Sequence, residues 1–202
     1  MIPVSVVVDL VLVLRWTPPQ ADNIEKYLYV NSELESRLLV YDTTSLSLLS
    51  STDLTPPTLP PSIRPLLLTA ELYAHPTYTR TLYISLRGTQ RLDLMATPRG
   101  DPDLPPPPVG DIDRTKREHE GDSIAIVYLS DDASNVQEVR HHETTLDWIR
   151  GMRISDDGLY LAAAGEFGGG LEIYKISGDR GGELELVAKD QSVKDVNCVL
   201  WL

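Results

Sequence analysis

The feature that most constrains this chain is a strand–turn–strand unit that recurs three times. Residues 26–42 read KYLYVNSELESRLLVYD. Residues 80–88 read RTLYISLRG, and the unit resumes at residue 122 as DSIAIVYL. Residues 158–176 read GLYLAAAGEFGGGLEIYKI. Each opens with a run rich in Leu and Tyr, turns through a charged residue and returns in a second apolar run. Each second run carries an aromatic near its end: Tyr41, Tyr128 and Tyr174. Short β-branched and aromatic runs bounded by polar turns suit strands, and no helical period competes with them. Tyr29 and Tyr83 lie 54 residues apart. Tyr83 and Leu161 lie 78 apart, or about 45 once residues 89–121 are set aside.

Flanking strands complete each unit. Residues 46–51, 136–145 and 183–189 read as outer strands, and residues 66–74 and 149–155 as inner ones. Four strands repeating at roughly 40 to 50 residues is the period of a propeller blade. The expected fold is all-β: a partial β-propeller of about three four-stranded blades. Residues 196–202 read as the first strand of a further blade. Residues 4–14, apolar except for Ser5 and Asp9, read as one or two buried strands. No Lys or Arg precedes that run, no clean cleavage site follows it, and it is too short to span a bilayer. The chain is therefore expected to have no signal peptide and no membrane contact.

Two segments depart from the pattern. The prolines of residues 56–65 remove ladder donors, so an extended connection is expected there. Residues 89–121 hold four consecutive prolines from Pro105 and a charged patch from Asp111 to Glu120. They read as a flexible insertion within a single domain spanning 1–202. A ring needs ~4 to 8 blades, so the sequence reads as beginning and ending inside a propeller. Either the sequence is a truncated product, or a second copy or a partner is expected to complete the open fold.

Charge and side-chain chemistry exclude several functions. A formal charge of -12 repels phosphate backbones, so no nucleic-acid partner is expected. One cysteine, Cys198, permits neither an internal disulfide nor a Cys-based zinc site. It is expected to be a buried structural thiol in a cytoplasmic protein. His141, His142 and Glu143 are consecutive on a strand, so their side chains alternate between faces and cannot converge on one ion. A solvated strand is expected, with no metal. His75 reads as a turn residue. Gly168, Gly169 and Gly170 are followed by no Lys-Ser or Lys-Thr pair, so they form no phosphate loop. No Trp-Asp dipeptide closes a repeat, which argues against a WD40 scaffold.

The ordered motifs resemble the lactonase-type seven-bladed propellers, the family of bacterial 6-phosphogluconolactonases and fungal 3-carboxy-cis,cis-muconate cyclases. Ala70-Glu71-Leu72, His75-Pro76 and Leu82-Tyr83-Ile84-Ser85-Leu86-Arg87-Gly88 resemble the family's AEI…P…LYVSNRG. Asp122-Ser123-Ile124-Ala125-Ile126 resembles DSIAVF, and residues 153–161 resemble F.ISPDGRYLL. Val30-Asn31-Ser32-Glu33-Leu34 resembles a V.SEL turn one blade earlier. The match covers roughly residues 26–202, the C-terminal half of a family member. Leu86 stands where the family carries Asn, and about 33 residues separate Arg-Gly from Asp-Ser-Ile. The His and further Arg expected of the muconate enzymes would lie in blades preceding this sequence.

The resemblance implies a small anionic substrate, a lactone or a muconate, and no cofactor. Either reaction needs an arginine to hold negative charge and a carboxyl or imidazole group to move a proton. Arg87 is the expected anion-holding residue and Glu33, at the matching turn one blade earlier, the acid or base. Glu71, a carboxylate within an apolar strand, is expected to bind substrate or brace Arg87. Glu166, in the equivalent turn of the third unit, is a further substrate-binding candidate. The alternative function is a non-catalytic propeller fragment serving as an interaction module.

Overall fold

The computed structural model describes residues 26–59, 61, 64–89 and 121–202, together with the backbone of residues 11–16. Three four-stranded antiparallel sheets follow one another along the chain. The first holds β1 (Val11–Trp16), β2 (Tyr27–Ser32), β3 (Arg37–Asp42) and β4 (Leu48–Asp53). The second holds β5 (Leu68–Ala74), β6 (Thr81–Arg87), β7 (Ser123–Leu129) and β8 (Val136–Glu143). The third holds β9 (Asp147–Ile154), β10 (Tyr160–Gly168), β11 (Leu171–Ser177) and β12 (Glu183–Asp190). Within each sheet the strands pair in chain order, and β5 lies beside both β1 and β9. These are three propeller blades, stacked face to face around their innermost strands, and they close no ring.

Burial follows the alternation of side chains across a strand. In the middle blade β6 and β7 are buried at every residue. Leu82, Ile84, Leu86, Ala125, Val127 and Leu129 pack toward the first blade. Tyr83, Ile124, Ile126 and Tyr128 pack toward the third. Each such Leu, Ile or Val contributes about 1.5–3 kcal/mol when taken from water. In the flanking blades β3 and β11 bury alternate residues instead. In the first two blades a tyrosine near the start of the second strand bolts one blade to the next. The Tyr29 hydroxyl donates to the Ala133 carbonyl at 2.8 Å, and that of Tyr83 to the Gly181 carbonyl at 2.7 Å. At the same end of the blades, His75 and the Gly158 carbonyl meet at 2.9 Å.

Several expectations need correction. Tyr41, Tyr128 and Tyr174 are not equivalent. They pair with Leu28, Thr81 and Leu161 respectively, three different ladder levels. Tyr128 and Tyr174 are buried and Tyr41 is only half-buried. Residues 196–202 form no strand. They run past Gly151 and Arg153 of β9, with the Trp201 indole donating to the Arg153 carbonyl at 3.2 Å, but enter no ladder. Cys198 is exposed, because that segment lies over the sheet instead of within it. His141 and His142 do point to opposite faces, yet they are half-buried between blades and not solvated. His141 bonds the Leu54 carbonyl of the first blade at 2.8 Å, while His142 meets the Tyr174 ring of the third edge-on at 4.8 Å.

The proline-rich connection behaves as expected, with one short 3-10 turn (Arg64–Leu66) and no strand among its described residues. Residues 90–120, most of the expected insertion, lie outside the described residues, as do residues 1–10. The two ends of that segment meet: the Thr89 hydroxyl donates to the Gly121 carbonyl at 2.9 Å. The β6–β7 ladder, beginning at Leu86 opposite Ser123, is therefore uninterrupted.

Candidate functional site

In an up-and-down blade the second strand ends where the first begins, so these turns gather at one mouth. Pairing places Glu33 and Arg87 at the same ladder level of adjacent blades, four residues after Tyr29 and Tyr83. Side-chain alternation then directs Glu33 toward the second blade and Arg87 toward the third. The Arg87 Nη2 donates to Glu33 Oε1 across the first seam. These side chains are only 3% and 12% exposed, which strengthens a charge-assisted bond relative to one in water. On its other side the Arg87 guanidinium lies over the Trp148 ring, 5.1 Å from its centroid. Three blades thus contribute one residue each to a Glu33–Arg87–Trp148 stack.

The inner strand of the middle blade supplies Glu71. Two residues of β5, Ala70 and Glu71, oppose Ser85 alone, which is a β-bulge. Bulges re-aim side chains at such rims. The Ser85 hydroxyl accepts from the Glu71 N–H at 2.9 Å, and Asn31 Nδ2 donates to the Ala70 carbonyl at 2.9 Å. Burial pushes the Glu71 carboxyl above the usual range, opposed first by a hydrogen bond to Tyr73 and then by the charges of Arg87, Arg150 and Arg153. Arg153 also lies over the Tyr73 ring, 5.4 Å from its centroid. A half-buried carboxyl displaced toward its protonated form, with three guanidinium groups around it, is suited to donate a proton beside a bound anion.

Glu166 follows Gly165, which holds the level of Glu33 and Arg87 in the third blade. It pairs at 3.5 Å with Arg150, which β9 presents in its own bulge. Among the described residues it joins the site through that arginine. Sequence reasoning missed Arg150 and Arg153, which lie on the expected inner strand but carried no motif. It also missed Trp148 and Asp122. Asp122 is fully buried. Its Oδ1 accepts from Gly88 N at 3.0 Å, Thr89 N at 3.0 Å and Thr89 Oγ1 at 2.6 Å. Its Oδ2 accepts from Trp148 N at 2.7 Å and Ile149 N at 3.3 Å. Burial raises its pKa to about 6 despite these bonds. No cluster of three or more metal-ligating side chains occurs among the described residues.

Four-stranded blades stacked around shared inner strands, with charged second turns at one mouth, define a β-propeller. The chain belongs to the seven-bladed lactonase β-propeller family, whose model it matches over residues 19–201. A protein from Lactobacillus plantarum superposes with TM-score 0.59 at 15% identity, over 86% of this chain and 41% of that one. A Bacteroides fragilis protein assigned as a 6-phosphogluconolactonase gives 0.58 at 16%, over 86% and 38%. The periplasmic gluconolactonase of Pseudomonas aeruginosa gives 0.59 at 12%, over 85% and 38%. The chain thus spans about two fifths of the length of these structures. No curated protein matches it.

Proposed function

We propose that this chain carries part of a lactonase site for a small anionic lactone of the 6-phosphogluconolactone type. The observation that supports this most is the buried Glu33–Arg87 pair, seated at equivalent turns of adjacent blades and backed by Trp148. In this reading the substrate anion competes with Glu33 for the Arg87 guanidinium. Glu33, released from the pair, takes a proton from the water that attacks the lactone carbonyl. The acyl–oxygen bond breaks, and the departing ring oxygen takes a proton from Glu71. Arg150 and Arg153 offset the charge that builds on the carbonyl oxygen. A second reading is cyclisation of a carboxymuconate, in which a carboxylate oxygen adds to the double bond and Glu71 protonates the neighbouring carbon. The number of guanidinium groups around Glu71 favours that reading, since such a substrate carries several carboxylates.

The test is hydrolysis of 6-phosphogluconolactone by the purified chain, with carboxymuconate cyclisation assayed in parallel. Arg87→Ala and Glu33→Gln are each expected to lower kcat/KM at least 100-fold, and Arg87→Lys to recover little because the planar fork is lost. A parent chain no faster than the spontaneous reaction would defeat the reading and favour a non-catalytic interaction module. The exposed Leu48 and Leu49 of β4 and Leu186 and Val187 of β12 extend the proposal to a second copy or partner on the outer blades. Sedimentation of the same preparation reads that out.

A further inference from the structure

We propose that Asp122 is a positioning residue of this site, holding the Arg87 turn and Trp148 in one rigid frame. The inference rests on reading Arg87 as the anion-binding group. Asp122 joins two stretches of backbone that belong to different blades: Gly88–Thr89, directly after Arg87, and Trp148–Ile149 at the start of β9. Trp148 sits at φ +67°, a left-handed conformation that a bulky residue holds only under constraint. The constraint is visible, since the Trp148 N–H points at Asp122 Oδ2 with the shorter of that oxygen's two bonds. The indole so placed lies over the Arg87 guanidinium and also packs on Phe167, 5.3 Å between centroids.

A structural role alone does not explain a carboxylate here. The residue at this ladder level is Ser36 in the first blade and Gly170 in the third, each one step before the residue that pairs three positions beyond Tyr29, Tyr83 or Leu161. Among the described residues the Ser36 side chain makes a single bond, to the Leu67 carbonyl at 2.8 Å. Gly170 has no side chain at all. Blades therefore close this turn without a buried acid, and burying one is costly unless its bonds accomplish something else. The acid occurs where the turn carries the anion-binding arginine and faces the tryptophan stacked on it.

The experiment uses a parent in which Trp16→Phe and Trp201→Phe leave Trp148 as the sole tryptophan. Into it go Asp122→Asn, which turns an amide N–H toward one set of backbone donors, and Asp122→Ser, which copies the first blade. Acrylamide quenching reports Trp148, calorimetry reports binding of 6-phosphogluconate, and thermal melting reports the fold. Both variants are expected to melt cooperatively, with quenching up at least threefold and 6-phosphogluconate binding weakened at least tenfold. Quenching and binding both within twofold of the parent would overturn the proposal. So would loss of folding in both variants, because Asp122 would then be needed for the blade itself. If the parent binds no 6-phosphogluconate, the lactonase reading fails instead, while Trp148 quenching still decides whether Asp122 sets this frame.

Discussion

The second turns of the middle and third blades occupy the same place in the repeat and are built in opposite ways. In the middle blade the turn is closed by a side chain: Asp122 gathers five donors from the backbone and hydroxyl around it. In the third blade it is closed by the absence of one. Gly170, at φ +77°, accepts from the Gly165 N–H at 3.0 Å, and a Cβ there would stand 2.0 Å from the Asp190 carbonyl oxygen. The first design fixes Arg87 and Trp148 at the mouth. The second leaves Glu166 partly exposed on a long pairing to Arg150. Identical topology thus yields one turn built to hold a charged group and one built only to reverse the chain.

The largest effect should come from breaking the glycine turn. Gly170→Ala combines a steric collision with a left-handed backbone, so a loss of about 3 kcal/mol or more is expected in urea unfolding. A loss below about 1 kcal/mol would show that the turn relaxes freely. Next comes Asp122→Ala, which strands several buried N–H groups and should cost about 3 kcal/mol. Ser36→Ala, at the matching level of the first blade, should cost only about 1 kcal/mol. Equal losses for these two substitutions would erase the contrast drawn between the turns.

The seam between the same two blades can also be loosened from its far end by acid. His75 is buried; one ring nitrogen meets the Gly158 carbonyl, and the other accepts from Thr77 N at 3.0 Å and Tyr78 N at 2.9 Å. Both nitrogens are committed in the neutral form, and burial lowers the His75 pKa. The unfolded chain therefore binds a proton first as pH falls from 7 through about 6.5, and stability contributed by His75 is lost. His141 and His142, lowered mainly by burial, act in the same direction. Asp122 opposes them: with its folded pKa raised to about 6, the native state takes up its proton first and is favoured by acid between about pH 6 and 4. Unfolding at pH 7 and 5 should show a smaller acid loss for His75→Gln than for the parent. An unchanged slope would remove His75 from the account.

The smallest expected effects separate the tyrosines. Tyr83→Phe removes a hydroxyl bonded across the blade 2–3 seam and should cost about 1 kcal/mol. Tyr41→Phe, at a half-buried site on the outer blade, should stay within about 0.5 kcal/mol. A larger cost for Tyr41 than for Tyr83 would show that the Tyr83 hydroxyl does not hold the seam.

What the sequence by itself determined was local and periodic. Alternating apolar residues specify strands, the roughly 45-residue spacing specifies blades, and the position of Glu33 and Arg87 in their repeats puts both at second turns. Those properties depend on neighbours along the chain, so they are legible without a structure. The aromatic equivalence failed because spacing shows that a strand ends, not which residue faces which across a ladder. Only the tertiary structure decided that Arg87 meets Glu33 on one side and Trp148 on the other. Only it showed that Asp122 ties the Arg87 turn to β9, and that the charges of Arg150 and Arg153 reach Glu71. These contacts join residues from different strands and mostly different blades, and their strength comes from burial that exists only once the blades are stacked.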